Sequence, residues 1–176
     1  MKPRRFRLMV VLALALLMSA VPLAVAAPCC LDPSFDGDGR VLTDIGSLYD
    51  VAYSLAVDDA GRIVVAGQTE MFGSQFAVVR YNPDGSLDST FDGDGVATVR
   101  YLIYHGGGAV ALDSVGRIVV AGSRLAETTV PGWDFAVMRL NRDGSLDASF
   151  GDSGKLTTDF NTFAIMSVVS LILEAG

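Results

Sequence analysis

The chain has 176 residues, with 20 acidic and 13 basic side chains, one His, two Cys and 19 Gly. That length suits one domain; without the basic start (Lys2, Arg4, Arg5, Arg7), residues 27–176 hold 9 basic against 20 acidic side chains, a net of −11, opposite in sign to a nucleic-acid binder's footprint. One His and an adjacent Cys pair supply too few ligands for a zinc site of the usual nitrogen and sulfur kind.

Residues 1–26 read as a secretory signal: a basic start, an apolar run from Leu8 to Met18, and the small residues Ala24-Val25-Ala26 ahead of Ala27. The apolar run is far shorter than the roughly 20 residues of a spanning helix, so cleavage after Ala26 is expected and the mature chain is not an integral membrane protein. Arg4-Arg5 is followed at once by Phe6 and Arg7, which argues for the general secretory route over the twin-arginine one. The expected location is secreted, periplasmic or cell-surface. Residues 27–30 form a tail in which Cys29 and Cys30, as sequence neighbours, cannot staple a fold. Pro28, standing where a small residue should precede the Cys, disfavours a lipid anchor on Cys29.

From Leu31 the chain repeats itself. Leu31-Asp-Pro-Ser-Phe35-Asp-Gly-Asp-Gly39 returns at Leu87 to Gly95 and, altered, at Leu146-Asp-Ala-Ser-Phe150-Gly-Asp-Ser-Gly154, at spacings of 56 and 59 residues. Gly61-Arg-Ile-Val-Val-Ala-Gly67 returns at Gly116 to Gly122, Phe76-Ala-Val-Val-Arg80 at Phe135 to Arg139, and Asp84-Gly-Ser-Leu-Asp88 at Asp143 to Asp147. Four markers in one order define repeat 1 (31–86), repeat 2 (87–145) and a partial repeat 3 (146–176).

Short runs of Val, Ile and Phe between Gly, Asp, Asn and Pro predict four strands per unit. In the first unit they fall at Ala52 to Val57, Arg62 to Gln68, Gln75 to Tyr81 and Gly95 to Arg100; in the second at Ala109 to Leu112, Arg117 to Ser123, Asp134 to Leu140 and Lys155 to Phe160. Asp59-Ala-Gly61 and Asn82-Pro-Asp-Gly85 are the expected turns. Four-stranded antiparallel units bury their faces by stacking on one another, and radial stacking of such units is a β-propeller. The expected class is therefore all-β, with propeller-like blades numbering about two and a half, an incomplete ring.

These markers resemble the delta-60 repeat of bacterial exported proteins, whose unit reads close to D-G-K-I-x-V-A-G followed by F-A-x-x-R-Y-N-x-D-G-S-L-D-x-S-F-G-x-x-G. The resemblance covers Leu31 to Phe160 and implies a propeller-type repeat with many tandem copies and no assigned activity. Here the D-G-K turn appears as Asp59-Ala60-Gly61-Arg62 and Ser114-Val115-Gly116-Arg117, which keeps the Gly and replaces Lys by Arg. Two and a half blades leave apolar faces and strand edges open. Residues Ala164 to Leu173 add a nearly unbroken apolar run. Self-association through open edges is one expectation, and a truncated fragment of a longer repeat protein is the other.

No residue stands out as catalytic, cofactor-binding or metal-ligating. Gly151-Asp-Ser-Gly154 spells the start of a serine-protease motif, but Ser153 aligns with Asp38 and Asp94 of the other copies and reads as a loop residue. His105-Gly-Gly-Gly108 resembles an esterase oxyanion segment, yet the chain has no G-x-S-x-G elbow. Asp36-Gly-Asp38 and Asp92-Gly-Asp94 have the local spacing of calcium ligands without the further ligands, so they read as turns, with calcium binding as the alternative reading. Trp133 and Tyr49, Tyr53, Tyr101 and Tyr104 suit either packing or a ligand surface. The expectation is an exported, non-enzymatic repeat module with an unidentified protein or glycan ligand and no nucleic acid; a propeller hydrolase or lyase is the alternative from another class.

Overall fold

The computed structural model describes residues 31–47, 49–70, 75–100, 108–125 and 133–159. The signal segment, Cys29, Cys30, Tyr101, Tyr104, His105 and Ala164 to Leu173 lie outside them. The chain divides into Met1–Cys30 and Leu31–Gly176, and every described element belongs to the second unit.

Eight strands are described: β1 (Asp50–Val57), β2 (Ile63–Thr69), β3 (Gln75–Tyr81), β4 (Val96–Val99), β5 (Ala109–Leu112), β6 (Ile118–Leu125), β7 (Trp133–Leu140) and β8 (Lys155–Thr158). They make two antiparallel sheets, β1-β2-β3-β4 and β5-β6-β7-β8, called blades 1 and 2 below; these are not closed into a ring. The strands lie close to their sequence-derived positions. β1 begins two residues before Ala52, β4 and β8 are shorter than expected, and β6 continues to Leu125.

The composition of each strand follows its surroundings. β3 is buried along its whole length, which is why Phe76-Ala-Val-Val reads as a continuous apolar run with no alternation. The β1 ladder slips between Ala52 and Ser54, leaving Tyr53 as a bulge opposite β2. Gly67 permits it: a Cβ there would stand 1.9 Å from the Val51 carbonyl oxygen. A glycine inside the Val-Val-Ala-Gly strand thus marks a close backbone approach.

The core lies between the blades. Phe76, Val78 and Val64 of blade 1 share one buried cluster with Val120, Met138 and Leu140 of blade 2. Each side chain of this size contributes about 1.5–3 kcal/mol on burial, so the stacking of blades supplies the apolar stabilisation that one sheet lacks.

Residues 31–45 precede the first blade. Residues 31–39 repeat the loop between β3 and β4, and residues 40–45 align with β4 but have no ladder partner among the described residues. Their exposure still alternates: Arg40, Leu42 and Asp44 are exposed, whereas Val41, Thr43 and Ile45 are half-buried.

Candidate functional site

The charged residues of the repeat converge at one end of each blade, where the β1–β2 turn meets the β3–β4 loop. In blade 1 the carboxylate of Asp58 accepts hydrogen bonds from the amides of Ala60 (2.9 Å) and Arg62 (2.9 Å) and from Arg62 Nε (2.7 Å). Gly61 turns the chain at φ +76. Arg62 also reaches Asp88 Oδ2 at 3.5 Å. Asp88 is in turn held by Arg80 Nε at 2.7 Å and accepts from the Thr90 amide and hydroxyl at 3.0 and 2.6 Å. Burial pushes Asp88 upward, but the Thr90 hydrogen bonds and the Arg80 charge outweigh it and hold the carboxyl below its usual range. Asp58 is lowered in the same way, with burial overcome by the Arg62 and Ala60 donors.

Blade 2 repeats the arrangement. Asp113 takes the Val115 and Arg117 amides and Arg117 Nε, and Asp147 takes Arg139 Nε at 2.8 Å with Ser149 in place of Thr90. Each inner arginine also lies over an aromatic ring, Arg80 over Phe91 and Arg139 over Phe150, both 4.7 Å from the centroid. These groups tie the two turns of a blade together.

A second set of contacts joins one blade to the next. The Asp92 amide donates to the Asp143 carbonyl at 2.7 Å, and Arg80 Nη1 donates to the Arg142 carbonyl. Gly144 allows this approach, because a Cβ there would stand 2.9 Å from the Asp92 nitrogen. Phe91, fully buried, plugs the joint. Asp92 itself has φ +49, a left-handed conformation that Asp tolerates better than most side chains. Burial, followed by the neighbouring Asp94 and Asp143, pushes its carboxyl up.

Residues 61–91 and 116–150 match the family model of a domain of unknown function, the DUF5122 beta-propeller. These repeats belong to the DUF5122 propeller family. No curated protein matches the chain, and no solved structure does. Each DUF5122 match runs from the turn glycine to the buried or half-buried Phe of the loop, so it contains the Arg–Asp joint nearly whole.

Asp38 and Asp94 each accept the amide two residues on, from Arg40 at 2.9 Å and Val96 at 2.8 Å, as turn residues do. Among the described residues no group of three or more His, Cys, Asp or Glu could hold a metal ion. Ser153 has φ +51, and its hydroxyl donates to Asp152 Oδ1 at 3.2 Å. Trp133 opens β7, paired with Leu125, while Tyr49 and Tyr53 are both exposed. Burial, then the nearby Tyr49, raises the Tyr53 phenol.

Two features escaped the sequence reading. Asp58 and Asp113 organise the turns, and their shared position four residues before Arg62 and Arg117 was a visible signal. Asp134, buried on β7 and 3.6 Å from Arg124, was the other. Its carboxyl is raised by burial and by Asp159, against the pull of Arg124. Gln75 occupies its place in blade 1, so this cluster departs from the repeat and no marker pointed to it.

Proposed function

We propose that the chain is an exported, non-enzymatic repeat module that uses the loops at one end of its blades to bind a protein or glycan ligand. The observation that carries this reading is a contrast between the two ends. At the joint end, the β1–β2 turn (five residues between strands) and the β3–β4 loop (14 residues) have the same length in both units, and their charged groups hold one another. At the opposite end, the stretch from Gly67 to Phe76 is four residues shorter than its counterpart from Gly122 to Phe135. Variation beside a rigid scaffold is the pattern of a recognition surface. Export rests on the basic, apolar and small-residue succession of residues 1–26.

Expression with its own leader should yield a product whose mass starts at Ala27, found outside the cytoplasm. The purified chain is then screened on arrays of bacterial glycans and envelope proteins. Replacing residues 126–132 by residues 70–74 should abolish capture and leave urea unfolding unchanged. Capture that survives the exchange, or turnover of a panel of glycoside, ester and peptide substrates, would overturn the reading.

A further inference from the structure

The chain holds six Asp-Gly pairs, and the fold treats them in two ways. In the four that begin at Asp38, Asp84, Asp94 and Asp143, the carboxylate accepts the amide two residues on, from Arg40, Ser86, Val96 and Ser145 respectively, at 2.8–3.0 Å. The glycine amide of each of these pairs donates to a carbonyl, Gly39 to Phe35, Gly85 to Asn82, Gly95 to Phe91 and Gly144 to Asn141, at 2.7–3.1 Å. Side chain and following amide are both held, and they are held apart from each other.

Asp36-Gly37 and Asp92-Gly93 differ on each of these points. Both Asp residues are exposed and left-handed, at φ +48 and +49. Among the described residues neither carboxylate accepts a hydrogen bond, and neither the Gly37 nor the Gly93 amide donates one. A Cβ added to either glycine would meet nothing within 4 Å, so the peptide unit after each Asp stands in open space. The unit before it is fixed. The Asp36 amide donates to the Asp84 carbonyl at 2.7 Å, as the Asp92 amide does to Asp143. A Cβ on Gly85 would stand 2.9 Å from the Asp36 nitrogen, as one on Gly144 would from that of Asp92.

We infer that Asp36-Gly37 and Asp92-Gly93 are sites of spontaneous isomerisation to a β-aspartyl-glycine linkage, and that the fold protects the other four pairs. The Gly93 amide nitrogen attacks Cγ of the protonated Asp92 carboxyl. A C–N bond forms, the C–OH bond breaks, and the hydroxyl leaves with the amide hydrogen as water, giving a five-membered succinimide. Solvent water then opens the ring at either carbonyl. Opening at the former main-chain carbonyl leaves that carbon as a carboxylate and carries the chain through Cβ, which lengthens the main chain by one methylene with no net change in composition. Nucleophile and electrophile are neighbours in the chain, so the rate turns on their freedom to close the ring, and glycine obstructs this least because it has no Cβ. At Asp92, burial and then the Asp94 and Asp143 charges favour the neutral acid, the form whose hydroxyl can leave. In the third copy Gly151 stands at the Asp92 position, so that loop has no such pair. The inference is independent of the export and ligand reading.

The purified chain is kept for several days in heavy-oxygen water at about pH 5, where part of each carboxyl is neutral, then digested and sequenced by electron-transfer mass spectrometry. Each succinimide that reopens takes up one labelled oxygen, and β-linked products give their own fragment ions. Label and β-linkage should accumulate at Asp36 and Asp92 at least about tenfold faster than at Asp38, Asp84, Asp94 and Asp143. In guanidinium, where the fold is gone, all six pairs should label within about threefold of one another. Asp92→Glu, which would have to close a six-membered ring, should lose label at residue 92 at least about tenfold and keep that at Asp36. A variant that failed to fold would announce itself by labelling the four held pairs, and the parent chain's folded and unfolded rates then decide alone. Equal labelling of all six pairs in the folded parent overturns the inference, as does no label at Asp36 and Asp92 over a time in which the unfolded chain labels fully.

Discussion

Blades 1 and 2 have the same strands, the same turns and the same Arg–Asp joint, yet their inner arginines live in different surroundings. Arg80 is 4% exposed, enclosed by the Arg142 carbonyl of the following blade, whereas the side chain of Arg139 is 18% exposed. On the preceding side the asymmetry reverses, with β5 covered and β1 open: Val110 is 7% exposed and Leu55 63%. A repeat unit therefore carries half of two interfaces, and the energetic weight of a residue depends on which neighbour is present.

Breaking the joint should expose this difference most strongly. Arg80→Met leaves Asp88 buried without its main partner and should cost about 3–5 kcal/mol in urea unfolding. Arg139→Met, at a wetter copy, should cost about 1–2 kcal/mol. Equal losses would show that the following blade adds nothing to the pair.

Gly144→Ala forces a side chain into φ +93 and against the Asp92 amide; we expect about 2–3 kcal/mol and faster hydrogen exchange at Asp92. The matching Gly85→Ala tests whether residues 31–39 dock as firmly, and similar losses are expected. Across the preceding faces, Val110→Ala should cost roughly 2 kcal/mol and Leu55→Ala no more than about 0.5 kcal/mol.

Acid sharpens the comparison with a smaller effect. The carboxyls of Asp58, Asp88, Asp113 and Asp147 are lowered, so their contribution is present above the unfolded value of 3.8 and disappears as pH falls through their folded values. Melting temperature should therefore drop below about pH 4. Asp92 works in the other direction: its raised carboxyl penalises the folded state at neutral pH, and protonation relieves it. Asp92→Asn should raise stability at pH 7 by no more than a few tenths of a kcal/mol, since solvent screens this exposed group, and the gain should vanish in acid. Asn also tolerates the left-handed backbone there.

Strand positions were legible because Gly, Asn-Pro-Asp-Gly and Asp-Gly punctuate runs of β-branched residues, and because each boundary was written twice. β1 begins two residues earlier than expected because its ladder continues past the bulge at Tyr53, which depends on the absence of a side chain at Gly67 in the facing strand, and β6 runs two residues further, pairing as far as Leu125 with Trp133. The joint was half legible. Arg80 and Asp88 stand within conspicuous markers, but pairing Asp58 with Arg62 requires knowing that a turn folds the carboxylate back onto its own amides. That some apolar face would stand open followed from the blade count, but which residues it would hold did not. Leu55 and Val110 are equally apolar, and only the neighbouring blade distinguishes them. The Asp134 and Asp159 cluster occurs once, so repetition gave no sign of it.

Arg80 completes its joint with a carbonyl 62 residues downstream. A chain made at about 5–20 residues per second exposes blade 1 for several seconds before Arg142 exists to receive it. Through that interval Phe76 and Phe91 have no covering blade. Growth from the N-terminus therefore leaves each new blade waiting on its successor, and whatever escorts the nascent chain must shield one apolar blade face at a time.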